Sequence, residues 1–200
     1  MRTDDRTEEQ ILVMRAQRGE QDAFRVLVER YQKLVYTLAL RMLNVPADAE
    51  DAAQEAFLSA WKALPRFRMD AKFSTWLYRL TVNAATDVLR RRRKEQDSLD
   101  DAERPVQAAD STDTPEEAAQ RAERRAMVRR AIGALSENHR QILLLREVTG
   151  LSYEEIGAAL KLSPGTVRSR LARARKELRE ELLAEGNYFD LPPSKGEKGR

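Results

Sequence analysis

The sequence predicts an all-α protein made of two small helical domains, an N-terminal bundle and a C-terminal helix-turn-helix domain, joined by an acidic flexible linker. Apolar residues recur at helical spacing, two short helices near the C-terminal end carry start signals, and one central segment is acidic with few apolar residues. The chain has 200 residues, 42% hydrophobic and 34% charged, which is enough for one or two small cores.

The first two helices are predicted from a cap and an apolar stripe. Thr7 is a candidate N-cap for a first helix that ends near Gly19. A second helix is predicted from about Gln21 to Leu43, and its apolar stripe is expected to be core because no basic opposite face suggests a membrane-surface role. The stripe consists of Phe24, Leu27, Val28, Tyr31, Leu34, Val35, Leu38 and Met42.

A third helix is predicted from Asp48 to Leu64, after a break at Asn44 to Pro46. Its alanine and aromatic residues recur on the side that can pack inward. Taken alone, the polar side is more often a solvated surface than a binding site. The outward residues are Asp48, Asp51, Gln54, Glu55 and Ser59.

Pro65 ends the third helix, and a loop leads to a fourth helix from about Thr75 to Lys94. This helix ends in five cations that begin at Arg90. Cations complement the dipole of a helix C-terminus, but five in succession indicate contact with phosphate. The rings nearby could stack on unpaired bases or belong to the core, and the sequence leaves both open. They are Phe67, Phe73, Trp76 and Tyr78.

Residues 95–116 contain eight acidic residues and only Arg104 as a cation, a net charge of −7. The chain as a whole carries +3, so the remainder carries +10. A segment with so few apolar residues cannot offset its ordering entropy and is predicted to be a linker. The predicted domains are therefore residues 1–94 and 118–184, with a linker at 95–117 and a disordered tail at 185–200.

Two short helices are predicted between Leu151 and Leu178. Ser152 is expected to cap the first, and Glu155 completes a capping box. Ser163 is expected to cap the second, where Pro164 costs no hydrogen bond and the small Thr166 lets a phosphate approach the backbone amides. Two capped helices with a short turn are typical of a DNA-binding helix-turn-helix.

The second helix of this pair has an apolar face and a basic face. Val167, Leu171 and Ala174 fall on one stripe that can pack, together with Leu178. A helix inserted in the major groove would present the opposite residues to bases and the flanking arginines to phosphates. The opposite residues are Ser169, Arg173 and Lys176, and the flanking arginines are Arg168, Arg170, Arg175 and Arg179.

Several classes of protein are excluded by composition. No run of 18 apolar residues could span a membrane, and the polar, acidic N-terminus is unlike a secretory signal. The chain has no cysteine, and its single histidine, His139, follows the candidate cap Ser136 at a helix start. We therefore expect a cytoplasmic protein that holds no metal or cofactor and, since no catalytic constellation is present, is not an enzyme.

Three motifs in order resemble the extracytoplasmic-function (ECF) subfamily of bacterial RNA polymerase sigma factors. They are DAEDAAQEAFLSAWKAL, FSTWLYRLTVNAATDVLRRRRK and LSYEEIGAALKLSPGTVRSRLARAR, and the similarity extends over roughly residues 8–183. The resemblance implies a subunit that binds core RNA polymerase and directs transcription initiation at promoters. It also implies an anti-sigma protein as a partner.

The resemblance implies three sets of site residues. The first would bind the clamp helices of the large polymerase subunit, the second the minus-10 promoter element with a flipped base, and the third the minus-35 element in the major groove. The sets are Asp48, Asp51, Gln54, Glu55 and Phe57; then Lys72, Phe73, Trp76, Arg79, Asn83, Arg90 and Arg91; then Ser163, Thr166, Arg168, Ser169, Arg170, Arg173 and Lys176.

Two alternatives remain at this point. A stand-alone helix-turn-helix regulator would bind DNA as a symmetric dimer and use the N-terminal bundle as a sensor or dimerisation unit. A helical interaction module would instead use its basic surfaces to bind acidic proteins. The helix from Asp48 to Leu64 separates these readings, because only a sigma factor needs its acidic face to bind polymerase.

Overall fold

The computed structural model describes residues 3–96 and 115–184, and their regular secondary structure is α-helical apart from one 3-10 turn at Leu64–Arg66. The all-α prediction is therefore confirmed. The helices are α1 Thr3–Gln17, α2 Gln21–Leu43, α3 Pro46–Ala63, α4 Phe73–Gln96, α5 Pro115–Ala134, α6 Glu137–Glu147, α7 Tyr153–Leu160 and α8 Pro164–Ala184.

Two predicted helix starts are wrong. Helix α1 begins at Thr3, so Thr7 lies inside it and is not its N-cap. The polar residues around Thr7 include glutamate, glutamine and arginine, which favour a helix, so propensity extends α1 toward the N-terminus. Helix α3 begins at Pro46 rather than Asp48, because proline fits the first helical position, where its missing N–H costs nothing.

Helices α4 and α5 shorten the acidic linker. Helix α4 begins at Phe73 and continues to Gln96, and α5 begins at Pro115. The predicted linker therefore overlaps α4 at residues 95 and 96 and α5 at residues 115–117. The remainder of the predicted linker, residues 97–114, and the predicted tail from residue 185 lie outside the described residues.

The first four helices form one bundle around α2, α3 and α4. Leu27, Leu38 and Met42 of α2 are fully buried, as is Leu77 of α4. The inner face of α3 is built from alanines, whose small side chains allow its neighbours to approach closely. These buried alanines are Ala49, Ala52, Ala53, Ala56 and Ala60.

The last four helices form a second, smaller bundle in which α6 and α7 pack against α8. Ile142 and Leu145 of α6 meet Val167 and Leu171 of α8 in the core cluster, and Ile156 of α7 completes it. The predicted apolar stripe of α8 is therefore its packed face, with Val167, Leu171 and Ala174 buried.

The two bundles pack against each other and share one cluster of buried side chains. Arg140 of α6 donates a hydrogen bond to the carbonyl of Met42 at the end of α2 (3.3 Å). Its guanidinium also donates to the carbonyls of Ile132 (3.0 Å), Gly133 and Leu135 (3.1 Å) at the end of α5. One buried cation therefore satisfies the carboxyl ends of a helix from each bundle.

Within residues 3–96 and 115–184, none of the helices has both the length and the apolar character that a membrane crossing requires. The same residues contain no group of three histidine, aspartate or glutamate side chains placed to hold a metal ion.

Candidate nucleic-acid and protein interfaces

The outer face of α3 presents an acidic face, defined here as Asp51, Gln54 and Glu55. All three side chains are exposed because the alanines of α3 take up the inner side of the helix. The hydroxyl of Ser59, one turn further on, donates to Glu55 Oε1 at 3.0 Å. Phe57 lies half-buried beside this face. A polar surface with an apolar edge is suited to binding another protein.

Asp48 is separate from the acidic face. Its carboxylate is an ion-pair partner of Arg92 near the end of α4, and its side chain is only 26% exposed. This pair ties the start of α3 to the basic end of α4. Asp48 therefore has a structural role in this arrangement, which the sequence pattern did not distinguish from that of its neighbours.

An apolar groove of about 480 Å³ runs between α2 and α3, next to the acidic face. Phe24 and Trp61 form one wall with their ring centroids 4.9 Å apart. Leu58 is 52% exposed at the edge of the groove. The sequence pattern does not indicate this groove, because it predicts that Phe24 and the aromatic residues of α3 pack inward, whereas Phe24 and Trp61 are only partly buried. The groove is also lined by Gln21, Val28, Gln54 and Phe57.

Five of the residues predicted to bind the minus-10 element fall along one line that starts just before α4. Their spacing of three, four or seven residues places them on the same side of the helix. Asn83 and Arg90 are exposed, whereas Trp76 and Arg79 are half-buried. Arg91 lies to one side, and its Nε donates to the carbonyl of Asp87 at 3.4 Å. The aligned residues, called the α4 stripe below, are Lys72, Trp76, Arg79, Asn83 and Arg90.

The four predicted rings divide between the core and the surface. Phe73 and Tyr78 are buried, with 2% and 4% exposure. Phe67 and Trp76 are half-buried and stack with centroids 4.6 Å apart and an interplanar angle of 23°. The Phe73 ring contacts the rings of both Phe67 and Trp76. The buried Phe73 ring therefore supports the stacked pair and offers no free face for a base in this structure.

Tyr78 is also fixed by burial. Removal from water disfavours the phenolate and raises the pKa of Tyr78 to about 12, with a smaller effect from the charge of Glu9. The neighbouring Tyr31 donates a hydrogen bond to Glu9 of α1, and burial together with this bond raises its pKa strongly. Both tyrosines therefore remain neutral members of the bundle core.

Helix α1 supports the loop that precedes α4. The side-chain amide of Gln17 donates to the carbonyls of Leu64 (3.1 Å) and Phe67 (2.8 Å). Met69 has a left-handed backbone with φ of 57°, which turns the loop sharply. Between this loop and α1 lies a cavity of about 260 Å³. No local sequence signal indicates this role of Gln17, because its two partners lie 47 and 50 residues away.

Two cations of the α4 stripe are paired with the second bundle. Lys72 Nζ lies 2.6 Å from Glu155 Oε1 on α7, and Arg90 lies 3.7 Å from Glu137 Oε1 on α6. Burial alone would raise the pKa of Glu155, but hydrogen bonds from Lys72 and the Ser152 N–H outweigh it, so the pKa is lowered. Two residues predicted to bind DNA are thus occupied by carboxylates of the same chain.

Helices α7 and α8 form the predicted helix-turn-helix. The capping box of Ser152 and Glu155 is confirmed, with bonds of 3.2 and 2.8 Å. The turn requires a glycine in α7, because a Cβ on Gly157 would lie 2.6 Å from the carbonyl oxygen of Leu162. This carbonyl belongs to the turn, where the Leu162 N–H donates back to Gly157 at 2.9 Å. Close packing at Gly157 therefore fixes the angle between the two helices.

The start of α8 also follows the prediction. Ser163 Oγ accepts the N–H of Thr166 at 3.2 Å, and the two hydroxyls lie 2.8 Å apart. The first turn of α8 holds no acidic residue. Its positive helix dipole is therefore open to an anion, as expected for a contact with phosphate.

The outward face of α8 presents most of the predicted minus-35 residues. Arg168, Arg173 and Lys176 are exposed, and Arg170 is half-buried. Ser169 is exposed, and its hydroxyl donates to the carbonyl of Thr166 at 3.1 Å. Lys176 lies 3.6 Å from Glu180 on the same helix. By contrast, Arg175 is held by Glu147 of α6 at 2.8 Å and fastens α8 to its own domain.

His139 has a structural partner in α8. Its Nδ1 contacts Glu177, whose other carboxylate oxygen accepts the Ser136 N–H at 3.3 Å. The bond with His139 lowers the pKa of Glu177. Ser136 is the N-cap of α6 as predicted, but its side chain makes no capping bond. The carboxylate of Glu177 instead fixes this helix start, a long-range contact that no local sequence signal indicates.

Two regions of the chain match known families. Residues 27–95 match Sigma-70 region 2, and residues 125–178 match Sigma-70, region 4. The chain is 41% identical over 181 residues to the RNA polymerase sigma-H factor of Pseudomonas aeruginosa, covering 88% of this chain and 94% of the relative. It is 43% identical over 177 residues to the ECF RNA polymerase sigma-E factor of Escherichia coli K12, covering 85% and 92%. The chain belongs to the ECF sigma factors.

The fold also matches those of solved structures. A structure of CnrH in complex with the cytosolic domain of CnrY superposes with a TM-score of 0.66 at 29% identity, covering 90% of this chain and 99% of that one. The sigma factor RpoE of Bartonella quintana, solved with the anti-sigma factor NepR, has the same fold at 23% identity, with a TM-score of 0.64 and coverage of 81% and 98%.

As a sigma factor, the protein binds core RNA polymerase and promoter DNA and directs transcription initiation at promoters. Sigma factors as a family are not enzymes. The two alternatives from the sequence do not account for a region 2 match in front of the helix-turn-helix. A stand-alone regulator or a general interaction module would need no such domain.

Proposed function

We propose that the acidic face of α3 binds the clamp helices of the large polymerase subunit. Asp51, Gln54 and Glu55 supply the polar contacts, and Phe57 supplies the apolar edge. The face is exposed and rests on a rigid alanine-packed helix, so binding needs little rearrangement. The ion pair of Asp48 with Arg92 makes Asp48 a support for this surface, with polymerase contact as a second role after rearrangement.

The α4 stripe binds the minus-10 element and captures one extruded base. The stacked rings of Phe67 and Trp76 offer an aromatic surface at the start of the stripe, and Asn83 offers a donor and an acceptor to the edge of a base. Stacking and hydrogen bonding together offset part of the cost of strand opening. Lys72, Arg79, Arg90 and Arg91 contact the phosphates, and Phe73 holds the rings in place.

Helix α8 reads the minus-35 element in the major groove. The start of the helix, with Ser163 and Thr166, meets a phosphate, and Arg173 reaches the edge of a base. Arg168, Ser169 and Lys176 lie on the same groove-facing side as Arg173, and Arg170 lies toward the DNA backbone. The exposed face of α8 supports this assignment.

The two domains separate when both promoter elements are bound. Elements about two turns of duplex apart lie roughly 70 Å from each other, whereas the domains here share a core. The packed arrangement is therefore that of the protein away from the promoter. We place the division between the two domains after the end of α4 at Gln96 and before the start of α5 at Pro115.

An anti-sigma protein is the partner that maintains the packed arrangement. The support comes from the relatives: CnrH was solved with the cytosolic domain of CnrY, and the Bartonella RpoE with an anti-sigma factor. A partner that binds only the packed form lowers the population able to reach a promoter. The protein acts in the cytoplasm with the polymerase and has no catalytic role of its own.

The observation that carries the minus-10 assignment is the alignment of Asn83 with the stacked rings along the α4 stripe. Asn83→Ala should abolish promoter opening, measured by the fluorescence of 2-aminopurine in the minus-10 element with core polymerase present. Binding to core polymerase should be unchanged. Asn138→Ala, an exposed asparagine of α6, is the matched control. Full opening by Asn83→Ala would refute the assignment.

A further inference from the structure

Three arginines from the two domains lie together where α2 meets α5. Arg41 is in the last turn of α2, and Arg125 and Arg129 are one turn apart on α5. The side-chain amide of Asn44, next to the end of α2, donates to the carbonyl of Arg129 at 3.5 Å. Among the described residues, no carboxylate forms an ion pair with any of the three. We call these residues the arginine cluster.

The cluster concentrates positive charge at a partly dehydrated contact. Arg129 is half-buried, and burial lowers its pKa, with further lowering by the charges of Arg41, Arg130 and Arg125. Like charges at this separation repel each other when no anion lies between them. The site therefore favours a ligand with several negative charges, which would relieve the repulsion and contact both domains at once.

The chain itself contains a ligand of this chemistry. Residues 97–114 hold six acidic residues and one arginine. They connect α4 directly to α5, the helix that carries Arg125 and Arg129. Tethering at both ends gives such a segment an effective concentration of about a millimolar at the cluster, which a free acidic protein or nucleic acid would have to exceed.

The segment is also long enough to reach. Arg125 and Arg129 lie ten and fourteen residues after Pro115, which places them about 15 and 21 Å along α5 at 1.5 Å per residue. The acidic residues at 100, 101 and 103 precede Pro115 by twelve to fifteen residues, and that length of chain extends to roughly 40 Å. The segment can therefore fold back along α5 without strain.

We propose that the arginine cluster is an intramolecular docking site for the acidic segment 97–114. Carboxylates of the segment form charge-assisted hydrogen bonds to the guanidinium groups, for which arginine offers a planar pair of donors. The site is composite, because Arg41 comes from one domain and the other two arginines from the second. Segment binding and domain packing therefore strengthen each other. This inference does not depend on the proposed DNA contacts.

The absence of cysteine from the chain permits a direct test. Ala102→Cys in the full-length protein carries a single nitroxide spin label among the acidic residues at 100, 101 and 103. Amide signals around Arg41, Arg125 and Arg129 should be broadened at about 0.1 M salt and recover at about 1 M, because the Debye length falls from about 10 Å to 3 Å. Replacement of the three arginines by glutamine should remove the broadening at low salt.

A charge-matched control separates docking from general attraction. Replacement of three exposed arginines outside the cluster, Arg18, Arg25 and Arg66, by glutamine should leave the broadening in place. No broadening at the cluster, equal broadening in both triple variants, or broadening centred on the α8 face would overturn the proposal. A second measurement adds poly-glutamate or a DNA oligonucleotide to the intact protein and to a variant whose six acidic segment residues are neutralised. Equally large chemical-shift changes at the cluster in both proteins would also overturn the proposal.

Discussion

The two proposed DNA-binding surfaces differ in how much of each is already accessible. On α8, Arg168 and Arg173 form no ion pair with any other described residue. On the α4 stripe, Lys72 and Arg90 are paired with Glu155 and Glu137 of the other domain. The proposed minus-35 surface is therefore accessible to DNA as it stands, whereas the proposed minus-10 surface would first have to exchange two carboxylates for phosphates.

This difference indicates an order of events. Partly exposed ion pairs stabilise a contact by only about 0–1 kcal/mol each. Breaking the two ion pairs of the α4 stripe therefore requires little free energy once polymerase holds the two domains apart. The larger barrier is the apolar cluster that both domains share. The proposed polymerase binding through the outer face of α3, which leaves this cluster untouched, is the step on which the comparison depends most.

The largest effect is expected from Gln54→Ala combined with Glu55→Lys. Loss of central interface contacts costs about 2–4 kcal/mol, or roughly 30- to 1,000-fold in affinity, so transcription with core polymerase should be abolished. DNA binding by α8 should be unchanged. The control is Glu29→Lys on the exposed side of α2. Titration of the labelled protein with core polymerase measures the affinity. An unchanged affinity would rule out the acidic face as the polymerase-binding surface.

Gly157→Ala should sharpen the comparison by damaging only the second domain. The added Cβ would lie 2.6 Å from a backbone oxygen, and such overpacking costs about 1–3 kcal/mol. Each kcal/mol lowers the Tm of a domain this size by about 4–8 °C. Calorimetry measures the Tm and shows whether one unfolding transition or two are shifted. Gly165→Ala, where the nearest atom is 4.0 Å away, should not destabilise; equal losses for both variants would contradict the packing argument.

The face of α8 can be resolved into base and phosphate contacts. Arg173→Ala should cost roughly 1–3 kcal/mol and relax specificity at one minus-35 position. Arg170→Ala should weaken all sequences alike and reduce the salt dependence by about one unit of slope. Fluorescence anisotropy with a set of single-base minus-35 variants distinguishes them. An equal loss on every sequence for Arg173→Ala would place that residue on a phosphate.

A smaller effect is expected when the α4 stripe is released from the second domain. Glu137→Gln removes the carboxylate beside Arg90, so the affinity for a single-stranded minus-10 oligonucleotide should rise by at most about fivefold, which corresponds to 1 kcal/mol. Glu123→Gln, an exposed acid of α5, should change nothing. A fall in affinity for Glu137→Gln would mean that Arg90 is positioned for DNA by this pair.

The smallest effect concerns acid stability. The pKa of Glu155 and of Glu177 is lowered in the folded protein, so each carboxylate stabilises the fold above the ordinary glutamate pKa of about 4.3. That contribution disappears as pH falls through the lower folded pKa. Glu155→Gln should weaken domain packing near pH 7, and Glu177→Gln only the α6–α8 contact, each with a flatter Tm profile below pH 5. Unchanged profiles would contradict both.

Most of the fold could be predicted from the sequence because its signals are local. The boundaries of α2 and the capping box of Ser152 and Glu155 depend on residues a few positions apart. Contacts between distant elements were not predictable in this way. The support of the loop by Gln17 and the pairing of Lys72 with Glu155 depend on how the helices are placed in space, which periodicity does not specify.

The site residues show the same division. Spacing placed Asp51, Gln54 and Glu55 on one exposed face, but it could not separate them from Asp48, whose partner Arg92 lies on another helix. The sequence places four rings just before and at the start of α4, yet only tertiary packing determines that Phe73 is buried while Trp76 is half-buried.

Arg140 has a consequence for how readily the molecule opens. Its guanidinium forms three hydrogen bonds to carbonyls at the end of α5, within its own domain, and one to Met42 across the contact. When the halves part, the cation keeps most of its partners and water can take the place of the fourth. Separation of the domains therefore leaves no unpaired charge in an apolar interior. The contact can form and break repeatedly while each domain stays folded.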